Sequence, residues 1–171
     1  MEEPLVRHPT QEPPVVGHMV IRAPIETVFD YVTRPKTWPD WYPITVGVES
    51  KVDRPALPGD EWREEVKLPL WSGYFYWEAL ERNRPHTFRY HGYAEKKGFL
   101  PKLSSGGRAT INYTFCEVGG GTLFQRVLEY SSPNWLMVVF DKLMFHNAVI
   151  AASTDALLNV KKNLEAKVAE K

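Results

Sequence analysis

Between Ile44 and Tyr130 apolar residues recur at every second position, and beyond Pro133 they recur at steps of three and four. No other feature restricts the fold as much, because period two marks one face of a strand and a period near 3.6 marks one face of a helix. Six alternating runs are expected at about 44–52, 61–68, 72–81, 86–94, 108–117 and 122–131. Turn residues separate them at Pro55-Ala56-Leu57-Pro58-Gly59-Asp60, Pro69, Asn83-Arg84-Pro85 and Gly119-Gly120-Gly121. Strands joined in sequence by such short links pair antiparallel. The closing helix, from Pro133-Asn134 to about Lys167, carries Val139, Leu143, His146, Ile150, Ser153, Leu157, Val160, Leu164 and Val168 as one stripe. Ahead of the alternating block, a strand is expected over Val15–Arg22 and a helix over Ile25–Thr33, entered through Pro24. Pro35, Pro39 and Pro43 then limit Trp38, Trp41 and Tyr42 to a short helical turn. The reading is an α+β fold. A curved antiparallel sheet of about seven strands wraps around a long C-terminal helix, with two short helices after the first strand. Residues 1–14, with four prolines, read as an extended arm, and 15–171 as a single domain.

Charge narrows the function. Lys plus Arg equals Asp plus Glu at 21 each, which argues against a dedicated nucleic-acid binder and leaves room only for a local basic patch. A lone cysteine, Cys116, excludes an internal disulfide framework and an all-cysteine metal site. The acidic, proline-broken opening Met1-Glu2-Glu3-Pro4 is unlike a signal peptide, and Leu136–Phe140 is far too short to span a bilayer, so a cytoplasmic location is expected. Six Trp, eight Tyr and eight Phe give more ring surface than a small core needs. The excess fits an apolar cavity as well as an aromatic-rich core.

The order of elements, with the words that punctuate it, resembles the START/Bet v 1-like superfamily (SRPBCC), the polyketide cyclase/dehydrase and lipid-transport family. The resemblance rests on Val20-Ile21-Arg22-Ala23-Pro24-Ile25-Glu26-Thr27-Val28-Phe29-Asp30-Tyr31-Val32 and on Trp38-Pro39-Asp40-Trp41-Tyr42-Pro43. It rests also on Trp77-Glu78-Ala79-Leu80-Glu81 followed by Arg84-Pro85, on Gly120-Gly121-Thr122 and on the long last helix. It covers roughly residues 15–168 and consists of apolar positions and turns, so it speaks to fold more than to activity. It implies a helix-grip fold around a deep cavity for an apolar ligand. Relatives include lipid and sterol carriers, quinone-binding proteins, hormone receptors and aromatase/cyclases.

Alternation assigns the inward faces. They are Trp62, Glu64, Val66 and Leu68; Trp71, Gly73, Phe75, Trp77 and Ala79; Phe88, Tyr90 and Gly92; and Ala109, Ile111, Tyr113 and Phe115. The last strand offers two faces, and the bulkier set Phe124, Arg126, Leu128 and Tyr130 is placed inward at the cost of burying Arg126. The candidate ligand-binding residues are therefore Trp62, Glu64, Phe75, Trp77, Phe88, Tyr90, Tyr113, Arg126, His146, Ile150 and Ser153. Buried charge is costly unless partnered, so Glu64 and Arg126 either satisfy one another, grip a ligand's polar end, or sit at a solvated rim. His146 is open to hydrogen bonding or proton transfer, or to a core role bonded to a backbone carbonyl. Ser153 is expected to bond back to its own helix.

No nucleotide loop, serine-hydrolase elbow or zinc-protease motif is present, and neither a metal nor a cofactor is expected. His86 and His91, five apart in one strand, point to opposite faces. The leading function is binding or transport of a small hydrophobic molecule, lipid-like, sterol-like or aromatic. The alternative is a polyketide cyclase/dehydrase-type enzyme with His146 moving the proton and Arg126 or Tyr113 stabilising an enolate. A protein-interaction module that uses the outer surface is the third class. The loop Glu95–Gly107 sets Phe99-Leu100 between lysines, which suits a gate over the cavity or transient contact with a membrane.

Overall fold

The computed structural model describes residues 13–68, 71–96, 107–131 and 146–169. Phe99 and Leu100, the beginning of the last helix at Pro133, and most of the N-terminal arm lie outside the described residues. Strand β1 (Val15–Ile21) leads into helix α1 (Ile25–Val32), with Pro24 at its N-cap and Thr33 closing it onto the Phe29 carbonyl. A 3₁₀ turn at Pro35–Thr37 runs directly into the single turn α2 (Trp38–Trp41). Six strands follow: β2 (Thr45–Ser50), β3 (Glu61–Leu68), β4 (Trp71–Asn83), β5 (Thr87–Lys96), β6 (Arg108–Val118) and β7 (Gly121–Ser131). Helix α3 spans His146–Ala169.

All strands join one antiparallel sheet in the order β1-β7-β6-β5-β4-β3-β2. This is the expected helix-grip architecture. β4 and β5 outrun their expected ends by two residues each, since β4 continues to Asn83 and β5 takes in Glu95 and Lys96 from what the sequence placed in a loop. The alternation itself holds. Residues 62, 64 and 66 of β3, 88 and 90 of β5, and 109, 111, 113 and 115 of β6 are buried. In β7 the buried set is Thr122, Phe124, Arg126 and Leu128, so the arginine does turn inward.

Helix α3 is fastened at both ends of the sheet's β1 edge and to α2. Gly17 of β1 leaves room for Leu157, whose Cδ1 would stand 2.7 Å from any Cβ placed there. Lys161 Nζ donates to the Val20 carbonyl at 2.8 Å, and Arg22 N–H donates to Glu165 at 2.9 Å. From the other side Asn159 Nδ2 donates to the Trp41 carbonyl at 3.1 Å. The helix thus covers the open edge of β1, which would otherwise offer unpaired backbone groups.

The buried face of α3 differs from the expected stripe. Ile150 and Val168 are exposed, whereas Val149, Ala152, Ser153, Ala156, Leu157, Val160 and Leu164 are buried. At about 100° per residue, Ile150 and Val168 share one border of the stripe. The covered arc extends the other way, through Ala152 and Ala156, whose small side chains let the helix sit close. Ile150 therefore leaves the set of residues facing inward.

Candidate functional site

Two buried charged residues organise the interior, one on each half of the sheet. Glu64, on the inward face of β3, is 1% exposed. Its carboxylate accepts from Thr45 Oγ1 at one oxygen and from Trp77 Nε1, 2.7 Å away, at the other. Trp77 reaches it because Gly92 lies opposite on β5. A Cβ on Gly92 would stand 2.5 Å from Trp77 Cε3, so the indole has its place only above a residue without a side chain.

Arg126, on β7, is 2% exposed. Its Nη1 donates to Ser153 Oγ on α3 at 2.9 Å, and its guanidinium carbon lies 4.8 Å from the centre of the Tyr42 ring. Ser153 thus serves as an acceptor for the sheet. Opposite Arg126 on β6 stands Tyr113, whose hydroxyl is 2.6 Å from that of Tyr90 on β5. A chain of rings fills the ground between the two charges. Trp38 packs on Trp62 at 5.4 Å and on Tyr90 at 5.3 Å, and Trp77 meets Tyr90 edge-on at 5.1 Å.

The electrostatics follow from this enclosure. Burial pushes the Glu64 carboxyl up to about 7, against the hydrogen bonds from Thr45 and Trp77 and the positive charge of Arg126, all of which pull it down. Burial also opposes the charge on Arg126, but the phenol oxygens of Tyr42, Tyr113 and Tyr90 outweigh it and hold the guanidinium above its ordinary range. Tyr113 rises to about 12 through burial, with Arg126 working the other way, and Tyr90 is raised well above its ordinary value for the same first reason. Glu64 and Arg126 feel one another's charge, yet their hydrogen bonds go to other residues: the acid accepts from Thr45 and Trp77, and the base donates to Ser153 and Tyr113. Three buried N–H groups of this region have no hydrogen-bond acceptor among the described residues: Trp41 Nε1, Trp62 Nε1 and Arg126 Nε.

Of the residues singled out from sequence, Trp62, Glu64, Trp77, Tyr90, Tyr113, Arg126 and Ser153 come together here. Phe75 is half-buried at the margin, stacked on Trp77 at 5.0 Å, and Phe88 lies behind Tyr90 against Phe29. His146 stands apart. It is half-buried at the first described turn of α3, its Nδ1 sits 2.9 Å from the Tyr130 hydroxyl, and Ser153 is two helical turns away, about 10 Å along the axis. Tyr42, Thr45 and Trp41 belong to the cluster without having been singled out. The aromatic turn was visible as a turn, but nothing local says that it folds over the sheet. Thr45 opens β2 beside a bulge between Thr45 and Gly47, where alternation fails.

A broad open groove of about 1430 Å³ runs along the same strands, lined mainly by outward side chains such as Arg63, Tyr76, Glu78, His91 and Tyr93 and reaching Trp62, Trp77 and Gly92. Several of its polar groups have partners at the surface: Arg63 pairs with Glu49, Tyr76 donates to Glu95 and His91 lies beside Glu78. Among the described residues no three His, Cys, Asp or Glu side chains gather as a metal ion requires, and no helix is long and apolar enough to cross a membrane.

Comparison with known proteins gives the geometry a context. The family described as polyketide cyclase/dehydrase and lipid transport matches residues 14–165. No curated protein matches the sequence. Among solved structures, an uncharacterized protein from Rhizobium leguminosarum superposes with a TM-score of 0.69 at 14% identity, over 92% of this chain and 97% of that one. Ara h 8.0201 gives 0.61 at 12% identity, over 90% and 98%. The di-domain ARO/CYC StfQ from the steffimycin biosynthetic pathway gives 0.65 at 13% identity, over 91% of this chain and 51% of that one. At these identities the superpositions speak to fold alone.

Proposed function

The chain belongs to the polyketide cyclase/dehydrase and lipid transport family, within the START/Bet v 1-like superfamily, and from that premise we propose that it binds a small hydrophobic molecule between the inner face of its sheet and helix α3. The family is generally one of small hydrophobic ligand binders. The observation that carries the reading for this chain is the interior pair Glu64 and Arg126, each almost fully buried, set among Trp38, Trp62, Trp77, Tyr90 and Tyr113. Apolar walls with a few convergent polar groups are the usual make-up of a ligand site. The rings supply affinity through area removed from water, at roughly 25 cal/mol per Å², and the polar groups set orientation. The test is extraction of the purified protein followed by mass spectrometry, together with uptake of phenylnaphthylamine followed by fluorescence. A stoichiometric apolar molecule, or saturable uptake by emptied protein, is the expected result. A protein that holds nothing and takes up nothing contradicts the reading.

A second reading has its own observation. Glu64 is enclosed and titrates near 7, the range in which a carboxyl can both give and take a proton at neutral pH. In a cyclase/dehydrase-type enzyme it would hold the proton-transfer role that the sequence assigned to His146, with Arg126 and Tyr113 facing developing negative charge on oxygen. Glu64→Gln separates the two readings: a carrier keeps its ligand, and an enzyme keeps binding but loses turnover.

A further inference from the structure

The hydrogen-bond accounting of the interior comes out lopsided. Trp41 Nε1, Trp62 Nε1 and Arg126 Nε are buried donors without acceptors among the described residues. All three belong to one connected group, since Trp41 packs on Trp38, Trp38 on Trp62, and the Tyr42 ring beside Trp41 carries Arg126. The phenols add a fourth donor. Tyr90 and Tyr113 share one hydrogen bond at 2.6 Å, and whichever hydroxyl donates, the other proton is left over. The acceptor side is already engaged, because both oxygens of Glu64 receive hydrogen bonds and Ser153 Oγ receives Arg126. Charge is unbalanced too. The guanidinium cannot lose its proton, and among the described residues no carboxylate forms an ion pair with it.

Resting on the ligand-binding reading above, we infer that the molecule held here is an apolar body ending in an anionic oxygen group, a carboxylate, which lies against Arg126 and takes the unpartnered N–H groups as donors. A cationic or donor-ended ligand would leave every one of these groups unsatisfied, at a cost each buried donor incurs in full. Glu64 tunes the site. The titratable and charged groups around the guanidinium are Glu64 from β3, Tyr90 from β5, Tyr113 from β6 and Tyr42 after α2; α3 contributes the neutral Ser153, with His146 two turns off. Bound anion and ionised Glu64 repel, so binding draws a proton onto Glu64, and affinity for a permanent anion rises as pH falls from about 8 to about 6.

The experiment is calorimetric titration of the whole protein with three probes on one ring: naphthoate, naphthylmethanol and naphthylmethylamine. Naphthoate is expected to bind about tenfold or more tighter than the alcohol, with the amine weakest. In Arg126→Met the acid's advantage should collapse. In Trp62→Phe, which removes the N–H and trims the indole to a single ring, the acid-to-alcohol ratio should shrink several-fold, a readout the lost bulk leaves alone because both probes carry the same ring. The comparison of the three probes needs no variant, so a misfolded Arg126→Met leaves the inference exposed to test. Equal binding of acid and alcohol, or preference for the amine, overturns it while the hydrophobic site stands. Failure of all three to bind overturns the site itself.

Discussion

Arg63 and Glu64 are consecutive in β3, and the sheet separates them into two chemistries. Arg63 faces outward, where it pairs with Glu49 and lies 4.5 Å from the centre of the Tyr74 ring, in reach of water. Glu64 faces inward at 1% exposure, where two donors and a distant guanidinium are all it has. The contrast repeats across β4 and β5. Outside, Tyr76 and Tyr93 stack at 5.1 Å with Tyr93 54% exposed; inside, Trp77 and Tyr90 meet at 5.1 Å and are nearly sealed. The outer pairs, such as Arg63 with Glu49 and His91 with Glu78, are screened by solvent, so each is replaceable. Inner polar groups are costly to hold and include donors with no acceptor, an arrangement that a well-packed apolar interior would improve on unless something else uses it.

The contrast is easiest to break with the rings. Trp77→Ala should lower unfolding free energy by about 3–5 kcal/mol, as loss of a buried aromatic does, and Tyr93→Ala by about 0.5 kcal/mol or less. Denaturant unfolding measures both, and comparable losses would mean that the two faces are not energetically distinct.

Next in size is the pH dependence of Glu64. Its folded carboxyl titrates near 7 and its unfolded one near 4.5. The folded state therefore holds the extra proton between those values, and its contribution is complete below about 4.5 and lost as pH rises through about 7. Stability should decline by about 3 kcal/mol across that window. Glu64→Gln should abolish this part of the decline and be the more stable protein near pH 8, since the amide oxygen can still accept from Trp77 while the Thr45 hydroxyl turns to accept from the amide. Parallel profiles for the two proteins would show that Glu64 is not buried as described.

Gly92→Ala is expected to cost about 1–3 kcal/mol, because its methyl group meets the Trp77 ring and the Tyr76 carbonyl, 2.5 and 2.6 Å away. The loss should come with a shift in Trp fluorescence as the indole leaves Glu64; an unchanged spectrum would sever that link. Smallest of all is Glu78→Gln on the outer face, where its partner His91 is about half exposed. The melting midpoint should not move measurably at neutral pH, and a clear drop would give the outer pairs a weight denied to them here.

Much of this was legible in the residues themselves. Strict alternation placed Trp62, Glu64, Tyr90 and Tyr113 on one face because strand side chains have no other choice. The bulk of Phe124 and Leu128 was enough to turn Arg126 inward with them. What the sequence could not carry was distance. Trp41 and Tyr42 join the site through the way α2 packs on β2 and α3, and Thr45 through the bulged pairing of β2 with β3, tertiary matters with no local signal. His146 shares a stripe with Ser153 yet lies two turns from it, so a common face did not make a common site. Ile150 fell on the wrong side because a helical stripe has two borders, and the alanines chose the other one.

The central claim is that ligand enters the inner face and engages the unpartnered donors there. Its most direct test is the nitrogen–proton correlation spectrum of the six Trp indoles during titration with naphthoate. The account predicts that the Trp41 and Trp62 indole signals move downfield as they gain an acceptor, with saturation at one equivalent, while the backbone amides of Arg63, Tyr76 and Tyr93 stay in place. Shifts confined to those outer residues, with the Trp41 and Trp62 indoles unmoved, would contradict it.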